Sequence, residues 1–172
     1  MNRVVHKLRI GGVSKDQLLR QLYLNGVQLN PAAQDLFAND LFTIEAMPVS
    51  LEVHELAVED LGLALGGTNH EVVKAAALLG LAPCPLEVAP QFRLQYMGQA
   101  EGHIGSPETK NCAPPGSITV ISVPLSDDYE TPKGFYLRKI SGTLWLRGYR
   151  SDDEHIWSGK DRLAFCSATS AA

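Results

Sequence analysis

The segment from Gly134 to Arg150 constrains the fold of this chain more than any other part of its sequence. It is typical of two β-strands joined by the two-residue turn Ser141-Gly142, where glycine supplies the positive φ that tight hairpins need. If Ile140 pairs with Thr143, the register of every other pair along the two strands follows. The segment therefore predicts a β-hairpin with a defined register.

The two faces of this hairpin differ in chemistry. Side chains alternate between the faces of a strand, and directly opposed residues share a face. The apolar face carries Phe135, Leu137, Leu144 and Leu146. The other face, called here the hairpin face, is aromatic and cationic and carries Tyr136, Arg138, Trp145, Arg147 and Tyr149. We expect the apolar face to pack on the core and the hairpin face to be the candidate ligand-binding surface.

Helix-start signals are concentrated in the first half of the chain. Ser14 to Gln17 and Thr68 to Glu71 are capping-box patterns, in which a hydroxyl and a later Gln or Glu satisfy the first helical amides. Asn30-Pro31 combines a capping residue with proline at the first helical position. These patterns predict two to three short helices.

Strand signals dominate the second half. Extended segments are predicted at Arg3–Ile10, Phe42–Val58, Leu86–Val88, Gln91–Tyr96, Ser117–Pro124 and Arg162–Cys166. Within Phe42–Val58, the residues Val49 to Val53 alternate as in a half-buried strand. Helices followed mainly by strands are typical of the α+β class. We therefore predict a largely antiparallel sheet in the C-terminal half, packed by the two to three short helices of the N-terminal half.

The length of 172 residues favours one domain. Within a single globular domain spanning 1–172, we predict a helical part at about 1–80 and a strand-rich part at about 86–167. The segment 97–116 is rich in glycine and proline and predicts a long loop, and 168–172 predicts a frayed tail.

Charge and cysteine content limit the class of protein. The net charge of −4 does not favour general binding to nucleic acid. Three widely spaced cysteines do not suggest a disulfide framework and fit a reducing compartment. The sequence shows neither a signal-peptide pattern nor an apolar run long enough to cross a membrane. We therefore expect a soluble, cytoplasmic protein with no membrane partner.

Acidic and basic residues are segregated along the chain. Between Gln21 and Val73 there are eight acidic residues and no Lys or Arg, whereas Thr131 to Arg150 holds five basic residues and no acid. One interpretation is that the two sets solvate separately or neutralise each other within the fold. The other is a patch that steers a small anionic ligand or an acidic protein surface. Complementary charge also allows a homodimer.

Motifs for catalysis and metal binding are missing from the sequence. It contains no Gly-x-Ser-x-Gly, no phosphate-binding Walker loop, no Cys-x-x-Cys and no pair of histidines at helical spacing. We therefore predict no metal site and no cofactor, and we assign no catalytic residue. Whether the chain is an enzyme stays open.

Four short runs resemble a family of bacterial proteins of unknown function. They are Gly80–Glu87, Arg93–Tyr96, Ala113–Ile118 and Gly134–Arg138. The resemblance spans about Leu78 to Trp157 and implies a soluble bacterial protein. It implies no activity and no site residue.

Two functions remain in view. The first is a non-catalytic binding or interaction module that uses the hairpin face. The alternative is a small enzyme acting on an anionic or sugar-like substrate, in which the 97–116 loop is a lid that brings Glu101 or His103 over Arg138 and Arg147.

Overall fold

The structure is a computed structural model that describes residues 1–103 and 113–169. Four α-helices lie in these two ranges: α1 Lys15–Leu24, α2 Pro31–Ala38, α3 Asn69–Leu78 and α4 Val88–Gln95. The strands in the same ranges are β1 Val4–Ile10, β2 Gln28–Leu29, β3 Val49–Ala57, β4 Gly67–Thr68, β5 Leu81–Ala82, β6 Ile118–Val120, β7 Gly134–Ile140, β8 Thr143–Tyr149, β9 Ile156–Trp157 and β10 Arg162–Ser167.

The three predicted helix starts are confirmed. The side chains of Ser14 and Thr68 cap α1 and α3, and in both cases the residue three positions later completes the capping box. Asn30 caps α2, with Pro31 in the first turn. Local hydrogen bonding at the first orphan amides is enough to define these starts, so the sequence predicts them well.

The predictions of extended structure at Leu86–Val88 and Gln91–Tyr96 are wrong, because Leu86 and Glu87 form a turn and Val88–Gln95 is the helix α4. The segment predicted to be extended from Phe42 forms a strand only from Val49. Pro90 lies in the first turn, where the missing N–H would have had no helical partner. The buried residues Val88, Ala89 and Phe92 have helical spacing and face the core, whereas the alternation of Phe92, Leu94 and Tyr96 resembles a strand. Tertiary packing decides between the two periodicities.

Most strands join one large sheet in the order β1-β3-β10-β6-β7-β8-β2, and β5 also pairs with β10. The pairs β10–β6 and β8–β2 are parallel, and the other pairs are antiparallel. The α+β class is confirmed. The sheet is mixed rather than largely antiparallel, and it takes strands from both halves of the chain. Long connections permit the parallel neighbours, and strand patterns do not reveal which distant strands will meet.

Each face of the sheet contributes to its own buried cluster. On one face, α1, α2 and α4 supply residues to a cluster that includes Phe135, Leu137 and Leu146. On the other face, α3 and β9 supply residues to a smaller cluster with Leu163 and Phe165 of β10. The prediction that the apolar face of the hairpin packs on the core is therefore confirmed.

Side-chain amides satisfy the backbone at both ends of the sheet. The Asn30 side chain accepts from the Gly148 N–H at 2.8 Å and donates to its carbonyl at 3.0 Å. Gln95 does the same for Arg9, with distances of 3.0 and 2.7 Å. These contacts pair edge-strand groups that would otherwise be open to another chain. Within the described ranges, no helix is long and apolar enough to cross a membrane.

Candidate functional site

The hairpin forms in the predicted register. Arg138 lies opposite Trp145, and Tyr136 lies opposite Arg147. The turn Ser141-Gly142 has positive φ at both residues, +50° and +75°, as a type I′ turn requires. The register places the four central side chains of the hairpin face on one side of the sheet.

Arg147 lies between two aromatic rings on this face. Its guanidinium carbon is 5.1 Å from the centre of the Trp145 ring and 6.0 Å from the centre of the Tyr136 ring. Trp145 is two residues away on the same strand, and Tyr136 is the cross-strand partner. A cation held against aromatic faces keeps its charge available, because the rings take up no hydrogen-bond donor of the guanidinium.

Both hairpin arginines have unused donors. The Nε atoms of Arg138 and Arg147 are buried, and no described residue accepts a hydrogen bond from either. Nη2 of Arg138 donates to the carbonyl of His103 at 3.1 Å. A buried donor without an acceptor is energetically unfavourable.

Other basic residues of the C-terminal half pair with acidic residues of the first half. Arg150 binds Asp35 at 3.1 Å, and Lys160 binds Glu59 at 2.8 Å. Such pairs fit the interpretation that segregated charges neutralise each other within the fold. Arg138 and Arg147 have no acidic partner among residues 1–103 and 113–169, so that interpretation does not extend to the hairpin face.

A third pair joins Arg162 to Glu55, whose carboxylate is buried. Glu55 accepts from Nε of Arg162 at 2.6 Å and from Nε2 of His6 at 2.8 Å. Burial acts to raise the pKa of Glu55, but the hydrogen bonds from His6 and Arg162 and their charges hold it below the ordinary value. This carboxylate is therefore committed to structure and is not free for catalysis.

A cavity of about 530 Å³ adjoins the hairpin face and shares the Tyr136 side chain with it. Its other aromatic lining residues are Tyr149, His155 and Trp157. Trp157 is buried, and no described residue accepts a hydrogen bond from its indole N–H. The cavity has the character of a site for a flat ring or an apolar group beside a charged one.

Tyr149 belongs to this cavity rather than to the arginine cluster. Its ring meets that of Trp157 edge-on, with centroids 6.1 Å apart, and burial raises the pKa of its hydroxyl. The structure thus brings Tyr136, Arg138, Trp145 and Arg147 together and places Tyr149 in the adjoining cavity. Sequence reasoning missed His155 and Trp157, because nothing in their local sequence signals that β9 lies beside the hairpin.

The predicted 97–116 loop is described only at its two ends, and residues 104–112 lie outside the described residues. Glu101 accepts from the Gly142 N–H at 3.0 Å, and the Gly102 N–H donates to the Lys139 carbonyl at 2.7 Å. His103 meets Arg138 through its backbone carbonyl. The start of the loop therefore runs beside the turn of the hairpin, and the carboxylate of Glu101 is held at that turn.

A buried arginine lies behind the hairpin on the core side, which sequence reasoning also missed. Nη1 of Arg93 is 3.4 Å from the carbonyl oxygens of Arg138 and Trp145. Burial lowers the pKa of Arg93 to about 10, so the side chain still carries its charge at neutral pH. Its position adds positive potential beneath the hairpin face. In the sequence, Arg93 alternates with the apolar residues Phe92 and Leu94, a pattern that suggests a solvent-facing position on a strand. The sequence therefore contains no sign that Arg93 is buried.

His54 and Ser167 are in contact but do not form a nucleophile and base. Nδ1 of His54 is 2.7 Å from Nη2 of Arg3, which has only donors, so Nδ1 accepts and the ring proton lies on Nε2. Nε2 therefore donates to Oγ of Ser167 at 2.8 Å and cannot take its proton. Burial and the charge of Arg3 lower the pKa of His54. The contact is structural.

No cluster of three or more metal-ligating side chains occurs in the part of the chain that the structure describes. No protein-family model matches the sequence, and neither a curated protein nor a solved structure matches it significantly. The chemistry of the site must therefore be argued from its own geometry.

Proposed function

We propose that this protein is a non-catalytic binding module whose hairpin face takes a small anionic ligand or an acidic group of a partner protein. The observation that carries the proposal is the pair of half-buried arginines, Arg138 and Arg147, whose Nε donors have no acceptor among the described residues. A carboxylate or phosphate group supplies several acceptor oxygens at once and matches the guanidinium fork.

The proposal has further support from the surroundings of the arginines. Trp145 and Tyr136 flank Arg147 and hold it in place, so little side-chain entropy is lost on binding. Both arginine side chains remain half-buried rather than fully buried. The neighbouring cavity leaves room for the uncharged part of a ligand.

The test is a titration of the protein with inorganic phosphate and with adenosine monophosphate, followed by NMR of the arginine Nε–H signals. Saturable shifts of the Arg138 and Arg147 signals are expected for at least one anion. Arg147→Gln should weaken binding at least about tenfold, since a charge-assisted hydrogen bond contributes about 1.5–3 kcal/mol.

Lys139→Gln is the matched control, because it removes one charge from β7, the strand paired with that of Arg147, at a position on the opposite face. It should leave the affinity within about twofold, since a half-buried lysine on the opposite face cannot contact a ligand on the hairpin face. Equal losses of affinity in the two variants would show that anions bind through general charge attraction, and would contradict a specific site on the hairpin face. Absence of saturable shifts with every anion would also count against the proposal.

The enzyme alternative predicts turnover as well as binding. Conversion of a phosphate ester or a sugar acid that is lost in Arg147→Gln would favour it. Binding without conversion fits the module.

Location and origin are part of the same proposal. We propose that the protein acts in the bacterial cytoplasm, on the basis of its few, widely spaced cysteines and of the resemblance of four short runs to bacterial proteins. Cell fractionation of a producing bacterium tests this, and recovery outside the cytoplasm would contradict it.

A further inference from the structure

Two cysteines far apart in the sequence touch in the core. Sγ of Cys166 lies 2.7 Å from Sγ of Cys84, and the two residues are 82 positions apart. Both are free thiols, and Cys84 is only 2% and Cys166 only 6% exposed. Neither the number nor the spacing of the cysteines predicts this contact.

Sheet pairing holds the backbone on both sides of the contact. Cys166 lies in β10 opposite Ala82 of β5. Two residues after Ala82, the Cys84 N–H donates to the Ile121 carbonyl at 2.7 Å, and Cys84 forms a parallel bridge with Ser122. Both side chains belong to the same buried cluster. The fold therefore keeps the two sulfurs in contact, as the formation of a disulfide requires.

We propose that Cys84 and Cys166 are a redox pair that closes to an intramolecular disulfide on reaction with a low-molecular-weight disulfide such as oxidised glutathione. One cysteine sulfur loses its proton and attacks the small disulfide, which releases one thiol. The second cysteine loses its proton and displaces the other small thiol from the mixed disulfide. The protein is oxidised by two electrons, and the small disulfide is reduced to two thiols.

The surroundings of Cys84 set the rate of this reaction. Cys84 lines a surface groove of about 580 Å³ together with the flanking Pro83 and Pro85 and the segment 41–45. Burial raises the pKa of the Cys84 thiol, and the contact with Cys166 adds to that effect. Oxidation therefore waits for a local opening of the groove and proceeds more slowly than that of an exposed thiol.

The disulfide would tie the end of the α3–β5 segment to β10, in the middle of the sheet. It closes a loop of 82 residues, so the oxidised protein should unfold at a temperature higher by roughly 5–10 °C. This inference does not depend on the hairpin face. A reversible disulfide in a cytoplasmic protein is typically a redox-responsive element.

Peptide mapping tests the proposal on the folded wild-type protein. Trypsin places the cysteines in three different peptides: 75–93 with Cys84, 111–133 with Cys112 and 163–172 with Cys166. The protein is incubated with oxidised glutathione, remaining thiols are blocked under acidic quench, and the digest is analysed without reduction. Peptides 75–93 and 163–172 should appear as one linked species that is lighter by two hydrogens, and reductant should separate them.

Two variants sharpen the result. Cys112→Ser keeps the proposed pair and should give the same linked peptides, with the same rise in melting temperature on oxidation. Cys84→Ala should show no rise in melting temperature on oxidation and no disulfide between peptides 75–93 and 163–172. The proposal would be overturned if Cys84 and Cys166 of the wild type are still blocked as free thiols, and not linked, after prolonged incubation with oxidised glutathione. A predominant link through Cys112 would overturn it as well.

Discussion

Arg93 donates a 2.6 Å hydrogen bond to the side-chain oxygen of Gln99, and both residues are buried. The amide of Gln99 in turn donates to the Gly116 carbonyl at 3.0 Å and to the Leu137 carbonyl at 3.1 Å. Arg93 also donates to the Tyr96 carbonyl at 2.6 Å. These bonds join α4, the chain that follows it and β7 into one polar unit directly behind the candidate site.

We expect Arg93→Met to lower the free energy of unfolding by about 2–4 kcal/mol, because methionine leaves the Gln99 amide oxygen and the Tyr96 carbonyl buried without a donor. Urea denaturation measures the change. Arg20→Met, on an exposed position of α1, should change the free energy by less than about 0.5 kcal/mol. Equal stability of Arg93→Met and wild type would show that the buried network is not needed.

Trp145→Ala should weaken anion binding while the domain stays folded. The indole flanks Arg147 at 5.1 Å, and losing this cation–π contact costs only about 0.5–1 kcal/mol of stability at a partly exposed site. The freed guanidinium no longer points in one direction, so binding of inorganic phosphate should weaken by at least about tenfold. Calorimetric titration gives the affinity, and thermal unfolding confirms the fold. Retained affinity would mean that Trp145 does not position Arg147.

Asn30→Ala should be the most harmful asparagine substitution among those at the helix ends. Its side chain caps α2 through the Ala33 N–H at 2.9 Å and pairs with both backbone groups of Gly148 in β8. Loss of the three bonds should cost about 2–4 kcal/mol. Asn25→Ala loses one exposed bond to the Gln21 carbonyl and should cost about 0.5 kcal/mol or less. Similar denaturation midpoints for both variants would contradict this difference.

The stability of the protein should fall in acid through Glu55. Its pKa in the folded state lies below the ordinary value of 4.5, so the unfolded state takes up this proton first as the pH falls. The contribution of Glu55 is therefore complete above about pH 4.5 and disappears as the pH falls through the lowered folded-state pKa. Urea denaturation across this range should show a shallower acid loss in Glu55→Gln than in wild type. Parallel pH profiles would contradict the assignment.

Much of the hairpin could be predicted because its information is local. The turn residues set the register, and the register sets which side chains share a face. The candidate arginines and their flanking rings follow from that. The cavity beside the arginines could not be predicted from the sequence, since His155 and Trp157 reach the hairpin only through long-range packing. The functional assignment itself remains a prediction.

The amino-acid sequence alone determined the starts of α1, α2 and α3, the hairpin and its two faces, because capping groups and turn glycines act within a few residues. Tertiary structure decided the rest. It made a helix of 88–95, since Val88 and Phe92 could bury one face while Arg93 found carbonyl acceptors in β7 and β8. It also chose the parallel strand neighbours and brought Cys84 to Cys166. Those outcomes depend on which surfaces exclude water together, and no local pattern carries that information.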